Sequence, residues 1–240
     1  SGSWGSGDGQ CQGPWCAYPL GVKDGESERT GGYIAALPMR MDSLAAEAYI
    51  LNRLRTGLPV HRSYHSFDHT LDVFRTASRI AAAEGVAGED LELLKAAALF
   101  HDSGFLVSDI EHERFSCGIT REALPGFGYS PKQVERICVM IMATKIPQDP
   151  HNALSRILCD ADLDYLGRPD FFSIGATLFE EMKHYGVLRT EREWNELQVR
   201  FLRKHHYFTQ YSKSLREPVK LVHLDQVIDL LGGDPDDRTL

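Results

Sequence analysis

Nowhere in this 240-residue sequence do lysine and arginine gather into a basic face: 26 of them are spread among 34 acids, for a net charge of −8. Gripping a nucleic-acid duplex by its backbone needs such a face, so that partner class is excluded. A phosphate-bearing ligand would meet an unfavourable overall field, which a local device such as a metal ion has to overcome. Long apolar runs are missing too. No stretch approaches the ~20 residues that cross a bilayer and no signal-peptide pattern stands at the start, so no membrane partner is expected and the cytoplasm is the default compartment. Cysteine is sparse, and its odd count of five without paired spacing argues against a disulfide framework. Cys117, Cys138 and Cys159 sit in apolar segments as buried, reduced thiols. Cys11 and Cys16 lack the second pair that a structural metal site would need. Runs of alternating polarity and internal repeats are also absent.

What is present is helical periodicity on enough apolar material, 42% of residues, for one substantial core. Residues 1–38 are rich in Gly and Ser and aperiodic, and are taken as a flexible extension or an expression remnant. Residues 39–235 are expected to form a single all-α domain. Leu44, Ala48, Leu51 and Leu54 make a first stripe, ended by Gly57 and Pro59. Ser66 caps a second helix with Val73, Ala77, Ile80 and Ala81 on one face. Gly88-Glu89 leads into a third, striped by Leu91, Leu94, Ala98 and His101. Ser130-Pro131 starts another, and residues 151–166, 169–185, 190–206 and 217–231 are periodic as well.

Three places on these stripes carry metal-binding chemistry. His69 shares a face with Val73, Ala77 and Ile80, and His101 ends an apolar stripe. Alone, each is more often a satisfied core histidine than a ligand. Asp102 shifts the balance, because a carboxylate beside an inward histidine is costly unless paired or metal-bound. Ser103-Gly104 ends the helix there and frees both residues to reach one ion. In LCDADLDYLG the alternate aspartates suggest a calcium loop, but an EF-hand wants Gly at Tyr165 and Glu at Phe171. Read as a helix, Asp162 lies on the stripe of Leu158 and Leu166, while Asp160 lies on a polar face with Arg156 and Asp164. His69, His101, Asp102 and Asp162 thus form one candidate site. Two imidazoles and two carboxylates balance a divalent cation and leave positions open, the layout of a catalytic centre. Nitrogen and oxygen donors without thiolate suit manganese, iron, cobalt, nickel or zinc.

The order H…HD…D, with its flanking words YHSFDHTLDV, LFHDSG and DADLDYLG, resembles the HD-domain superfamily of metal-dependent phosphohydrolases over about residues 60 to 170. The resemblance implies a helical fold, hydrolysis of phosphate esters or anhydrides of nucleotide-like small molecules, and the same four ligands. In cyclic-nucleotide phosphodiesterases of that superfamily a similar YHN segment donates the proton to the leaving oxygen, which makes His65 the candidate general acid; it can equally cap the helix entry. Asp102 or Asp162 would also hold the attacking water. Many relatives with two metals carry histidine where Thr144-Lys145 stands here, so one ion is expected, with two as the alternative. Lys145 would serve catalysis and phosphate binding as a point charge, or interact with its helix's dipole. Arg62 is a further candidate for phosphate, or else a solvated residue, and His112 a candidate for substrate or a second metal, with Glu111–Glu113 as a solvated face the alternative. Asp72 is expected to orient a ligand or the backbone, and His205-His206 to lie on the surface. A homodimer is possible through an exposed apolar helix. Two other functions remain open: a di-iron oxygenase, which Lys145 disfavours for want of a histidine, and a nucleotide sensor with little turnover.

Overall fold

The computed structural model describes residues 41–233. The extension read at 1–38, with Cys11 and Cys16, lies outside the described residues. Ten α-helices and no strand occur among them: α1 Ser43–Gly57, α2 Phe67–Ala83, α3 Gly88–Phe100, α4 His112–Ala123, α5 Pro131–Ala143, α6 Ala153–Asp162, α7 Phe171–His184, α8 Glu191–Lys204, α9 Gln210–Leu215 and α10 Glu217–Leu230. The all-α class expected from periodicity is the one observed.

Local chemistry sets the ends of these elements. Ser66 accepts from the His69 N–H and caps α2, and Asn152 caps α6 through the Ser155 N–H. Ser130 with Gln133, and Thr190 with Glu193, form reciprocal capping boxes at α5 and α8. Helix α3 stops at Phe100, and a 3-10 turn takes over at Ser103–Leu106, as the Ser-Gly pair implied. The stripe of α1 differs from expectation. Its buried residues are Ala46, Ile50 and Leu54, whereas Leu44 and Ala48 are exposed, because the covered face is rotated around the helix from the expected stripe.

Two apolar clusters divide the interior. The larger is built from α1 to α6 around Ile80, Leu93, Leu94, Phe100, Ile137 and Leu158. The second joins Tyr64, Tyr165, Leu166 and Phe171 to Val199 and Leu202 of α8 and Val227 of α10. Cys117, Cys138 and Cys159 are buried free thiols, as expected. Among the described residues no helix is long and apolar enough to cross a membrane.

Asp160 and Asp164 depart from the polar face read in the sequence. Both are fully buried. Asp160 accepts from the backbone N–H groups of Phe208 and Thr209 and from the Thr209 hydroxyl. Asp164 gathers Arg79, Arg168 and Arg216. Arg156 is exposed and pairs with neither. A period places a residue on its own helix but does not know which segment will cover it. His205 departs likewise: it is buried against Lys220 and Tyr207, while His206 is exposed.

Candidate metal centre and its cavity

Where α2, the end of α3 and the end of α6 meet, donor atoms of His69, His101 and Asp162 all lie within 4.8 Å of one another, and Asp102 borders both histidines. His69 projects from the first turn of α2, directly after its Ser66 cap. His101 follows the last residue of α3, and Asp162 is the last residue of α6. His69 Nε2 lies 3.4 Å from Asp102 Oδ2 and 3.2 Å from Asp162 Oδ1. His101 Nε2 lies 3.2 Å from Asp102 Oδ2 and 3.5 Å from Asp162 Oδ1. Donors held at about 2.0–2.2 Å around one cation stand about 3 to 3.5 Å apart when they are adjacent in its shell. Both histidine Nε2 atoms and Asp102 Oδ2 are buried without a hydrogen-bond partner, which is costly unless an ion satisfies them. The residues present therefore fit a divalent cation.

Electrostatics agree. Burial opposes charge on His69, but the close carboxylates of Asp102 and Asp162 prevail and raise it to about 9. Burial likewise opposes charge on His101, and the Asp102 carboxylate holds it well above the usual imidazole range. Desolvation would raise the two aspartates, yet the facing imidazoles keep Asp162 at about 2 and Asp102 well below the carboxylate norm. The two carboxylates thus draw positive charge to the place that a divalent ion would occupy.

Neighbouring groups hold this arrangement. His101 Nδ1 is 2.8 Å from the Ala98 carbonyl, so its proton is directed there and Nε2 faces the site. Ser116 of α4 donates to the His101 carbonyl at 2.6 Å and accepts from the Gly104 N–H at 2.7 Å. Gly104 is required by close approach: a Cβ there would collide with the His112 backbone. That contact seats α4 on the turn and brings His112 Nε2 to 3.5 Å from Asp102 Oδ1.

His65 stands beside the four donors, its ring centroid 6.2 Å from that of His69. Its Nδ1 is 2.6 Å from Glu181 Oε1. Glu181, on α7, also accepts from the Tyr64 and His65 backbone N–H groups at 2.9 and 3.1 Å and from Arg62 Nη1 at 2.9 Å. Although buried, its carboxyl is held at about 2, chiefly by His65 and by those N–H and guanidinium donors. Sequence reasoning missed Glu181. The signal was there, since an acid continues the Ile174–Leu178 stripe of an otherwise apolar helix face.

A cavity of about 360 Å³ opens from the centre, lined at that end by His65, Asp102, His112 and Asp162. Arg62 is not part of the lining. It is buried, paired with Glu181 and Asp109 and sandwiched between the rings of Phe105 and Tyr185 at 4.4 and 4.3 Å. Lys145 is exposed and outside the lining, although Thr144 and Ile146 on either side belong to it. Asp72 pairs with Arg168 at 2.7 Å. Glu113 is buried, 3.5 Å from His112.

Comparison with known proteins adds the following. Residues 66–164 match the family model of the HD domain. A predicted HD superfamily hydrolase from an uncultured Thermotogales bacterium superposes with a TM-score of 0.53 at 21% identity, over 77% of this chain and 91% of that one. Bacillus subtilis YpgQ in complex with ADP gives 0.56 at 21%, over 80% and 98%. A protein of Lactobacillus plantarum gives 0.54 at 19%, over 79% and 98%. At these identities the likeness speaks for the fold. No curated protein matches the sequence. His69, His101, Asp102 and Asp162 all lie inside the segment that matches the HD-domain model.

Proposed function

We propose that this protein is a metal-dependent phosphohydrolase that cleaves a phosphate ester or anhydride of a small molecule. The observation that carries the proposal is the convergence of His69 Nε2, His101 Nε2, Asp102 Oδ2 and Asp162 Oδ1 at the inner end of a ligand-sized cavity, three of them buried without partners. These residues would hold one divalent transition-metal ion (manganese, iron, cobalt, nickel or zinc). When bound, such an ion supplies a Lewis acid for phosphoryl oxygen and water of lowered pKa.

The chain's own groups do the rest. Asp102 and Asp162 accept hydrogen bonds from water at the inner end of the cavity and orient it toward phosphorus. His65 is the proton donor: Glu181 fixes its ring through Nδ1, which leaves Nε2 to give a proton to the departing oxygen. His112 also lines the cavity, its ring centroid 6.2 Å from that of His65, and donates to the phosphoryl group. Burial, with the charges of His65 and His101, lowers it against the pull of Asp102 and Glu113, so it acts as a neutral donor. A phosphorylated small molecule is the partner of this reading, and the ADP bound by the B. subtilis neighbour is compatible with a nucleotide.

The test is hydrolysis of a panel of phosphomonoesters, diesters and nucleotides by chelator-stripped protein reloaded with each metal in turn. Metal-dependent phosphate release from at least one member is expected. A protein that binds metal stoichiometrically and releases phosphate from none would overturn the proposal.

A further inference from the structure

The cavity changes character away from the metal centre. Beyond His65, Asp102, His112 and Asp162 its walls are Leu166, Phe171, Met182, Trp194, Phe201 and Leu202, together with neighbouring leucines of α7 and α8. Polar side chains there are few. Gln198 already gives its amide to Asn195 at 3.1 Å, and the Tyr64 and Tyr165 rings pack against each other at 5.7 Å. No lysine or arginine is in the lining. The nearby guanidinium of Arg62 is consumed by Glu181 and Asp109.

Charge and polarity together define what such a chamber accepts. A nucleoside di- or triphosphate brings charge beyond the one phosphoryl group that a single ion serves, and each further phosphate needs a cation. Its sugar hydroxyls and base edge need hydrogen-bond partners, and burying them without partners is unfavourable. An alkyl or aryl group needs neither and gains from every carbon taken out of water.

We infer that the chamber is a subsite for an uncharged apolar group, and that the substrate is the phosphate ester of a hydrophobic alcohol rather than a nucleoside polyphosphate. The inference rests on the phosphohydrolase reading for the reaction, but not for the binding. Hydrolysis of such an ester breaks its P–O bond: water oxygen joins phosphorus, and the proton given by His65 leaves with the alcohol.

Methyl-, butyl- and hexylphosphonate, which lack the cleavable bond, separate the two claims when titrated calorimetrically into the metal-loaded full chain beside ADP. Affinity is expected to rise about fourfold per methylene, the equivalent of the roughly 0.8 kcal/mol that a buried CH2 contributes, and hexylphosphonate should bind tighter than ADP. Leu197→Arg, which places a cation in the partly exposed wall on α8, should flatten the chain-length series. Its helical circular dichroism verifies that it folds, and the unmodified protein gives the decisive series in any case. Equal affinity along the series, or ADP binding tighter than hexylphosphonate, would overturn the inference. The matching phosphate esters give the second readout. Turnover that ignores chain length sinks the subsite and spares the hydrolase, whereas graded phosphonate binding with no ester hydrolysed sinks the hydrolase and spares the subsite.

Discussion

Replacing Glu181 by Gln removes one charge and almost no volume, at a point where four donors meet. Glu181 is 3% exposed and accepts from two backbone N–H groups, Arg62 Nη1 and His65 Nδ1. An amide keeps one acceptor oxygen and turns two N–H groups toward donors. Folding moves the Glu181 carboxyl from 4.5 to about 2. At 1.36 kcal/mol per unit this is about 3 kcal/mol in favour of the charged native state. The figure agrees with the roughly 3–5 kcal/mol lost when a buried ion pair is broken by removing one partner.

The sign follows from linkage. A depressed carboxyl contributes its stability in full above its unfolded value, and loses it as pH falls toward the folded value. Glu181→Gln should therefore be about 3 kcal/mol less stable than the wild type at pH 7, a fall in Tm of roughly 6–12 °C for a domain of this size. The gap should hold constant down to about pH 5 and narrow from about 4.5 toward 2. Urea denaturation of both chelator-treated proteins, pH by pH, measures it without a metal contribution. A gap below about 0.5 kcal/mol at pH 7, or one that does not narrow between pH 4.5 and 3, would refute the role assigned to Glu181. In the metal-loaded protein the variant should lose kcat more than KM is changed, because Glu181 positions His65 and does not touch the substrate.

Asp102→Ala should abolish both bound metal, by elemental analysis, and turnover; full metal-dependent activity in that variant contradicts the site. Ligation needs neutral imidazole, and the two carboxylates raise His69 to about 9 and His101 well above the usual range, so metal affinity should climb about tenfold per pH unit for each proton displaced between pH 6 and 8. Calorimetry in buffers of different ionisation enthalpy should detect that proton release. Gly104→Ala should unseat α4 from the turn beside the site, costing stability and metal affinity together, both visible in thermal melts with and without metal. Asp164→Asn, which breaks its cluster with Arg79, Arg168 and Arg216, should cost about 3–5 kcal/mol by denaturant unfolding.

The four donors were legible because each obeys a local rule. His69 follows a serine cap on a periodic helix, His101 closes an apolar stripe, Asp102 precedes a Ser-Gly stop, and Asp162 falls on the face of Leu158. Such rules say which way a side chain points from its own backbone. They are silent about what comes to meet it, and there the sequence reading stopped. Arg62, read as a phosphate contact, is buried because a carboxylate 119 residues later arrives beside it. Asp160, read as a structural residue on a polar face beside Arg156, is buried because the segment before α9 presents two N–H groups to it.

The same distinction explains how the chain divides its labour. The HD-domain match ends at residue 164 and contains His69, His101, Asp102 and Asp162, but not the cavity's outer walls. Phe171, Met182, Trp194, Phe201 and Leu202 lie beyond it, as does Glu181, which aims His65. The helices after the motif, which the resemblance left as a remainder, thus line much of the cavity and hold His65 through Glu181. A domain whose four donors are set by short local patterns can keep its centre while α7 and α8 change their apolar side chains. Substrate choice then varies without disturbing the buried charges that a metal needs.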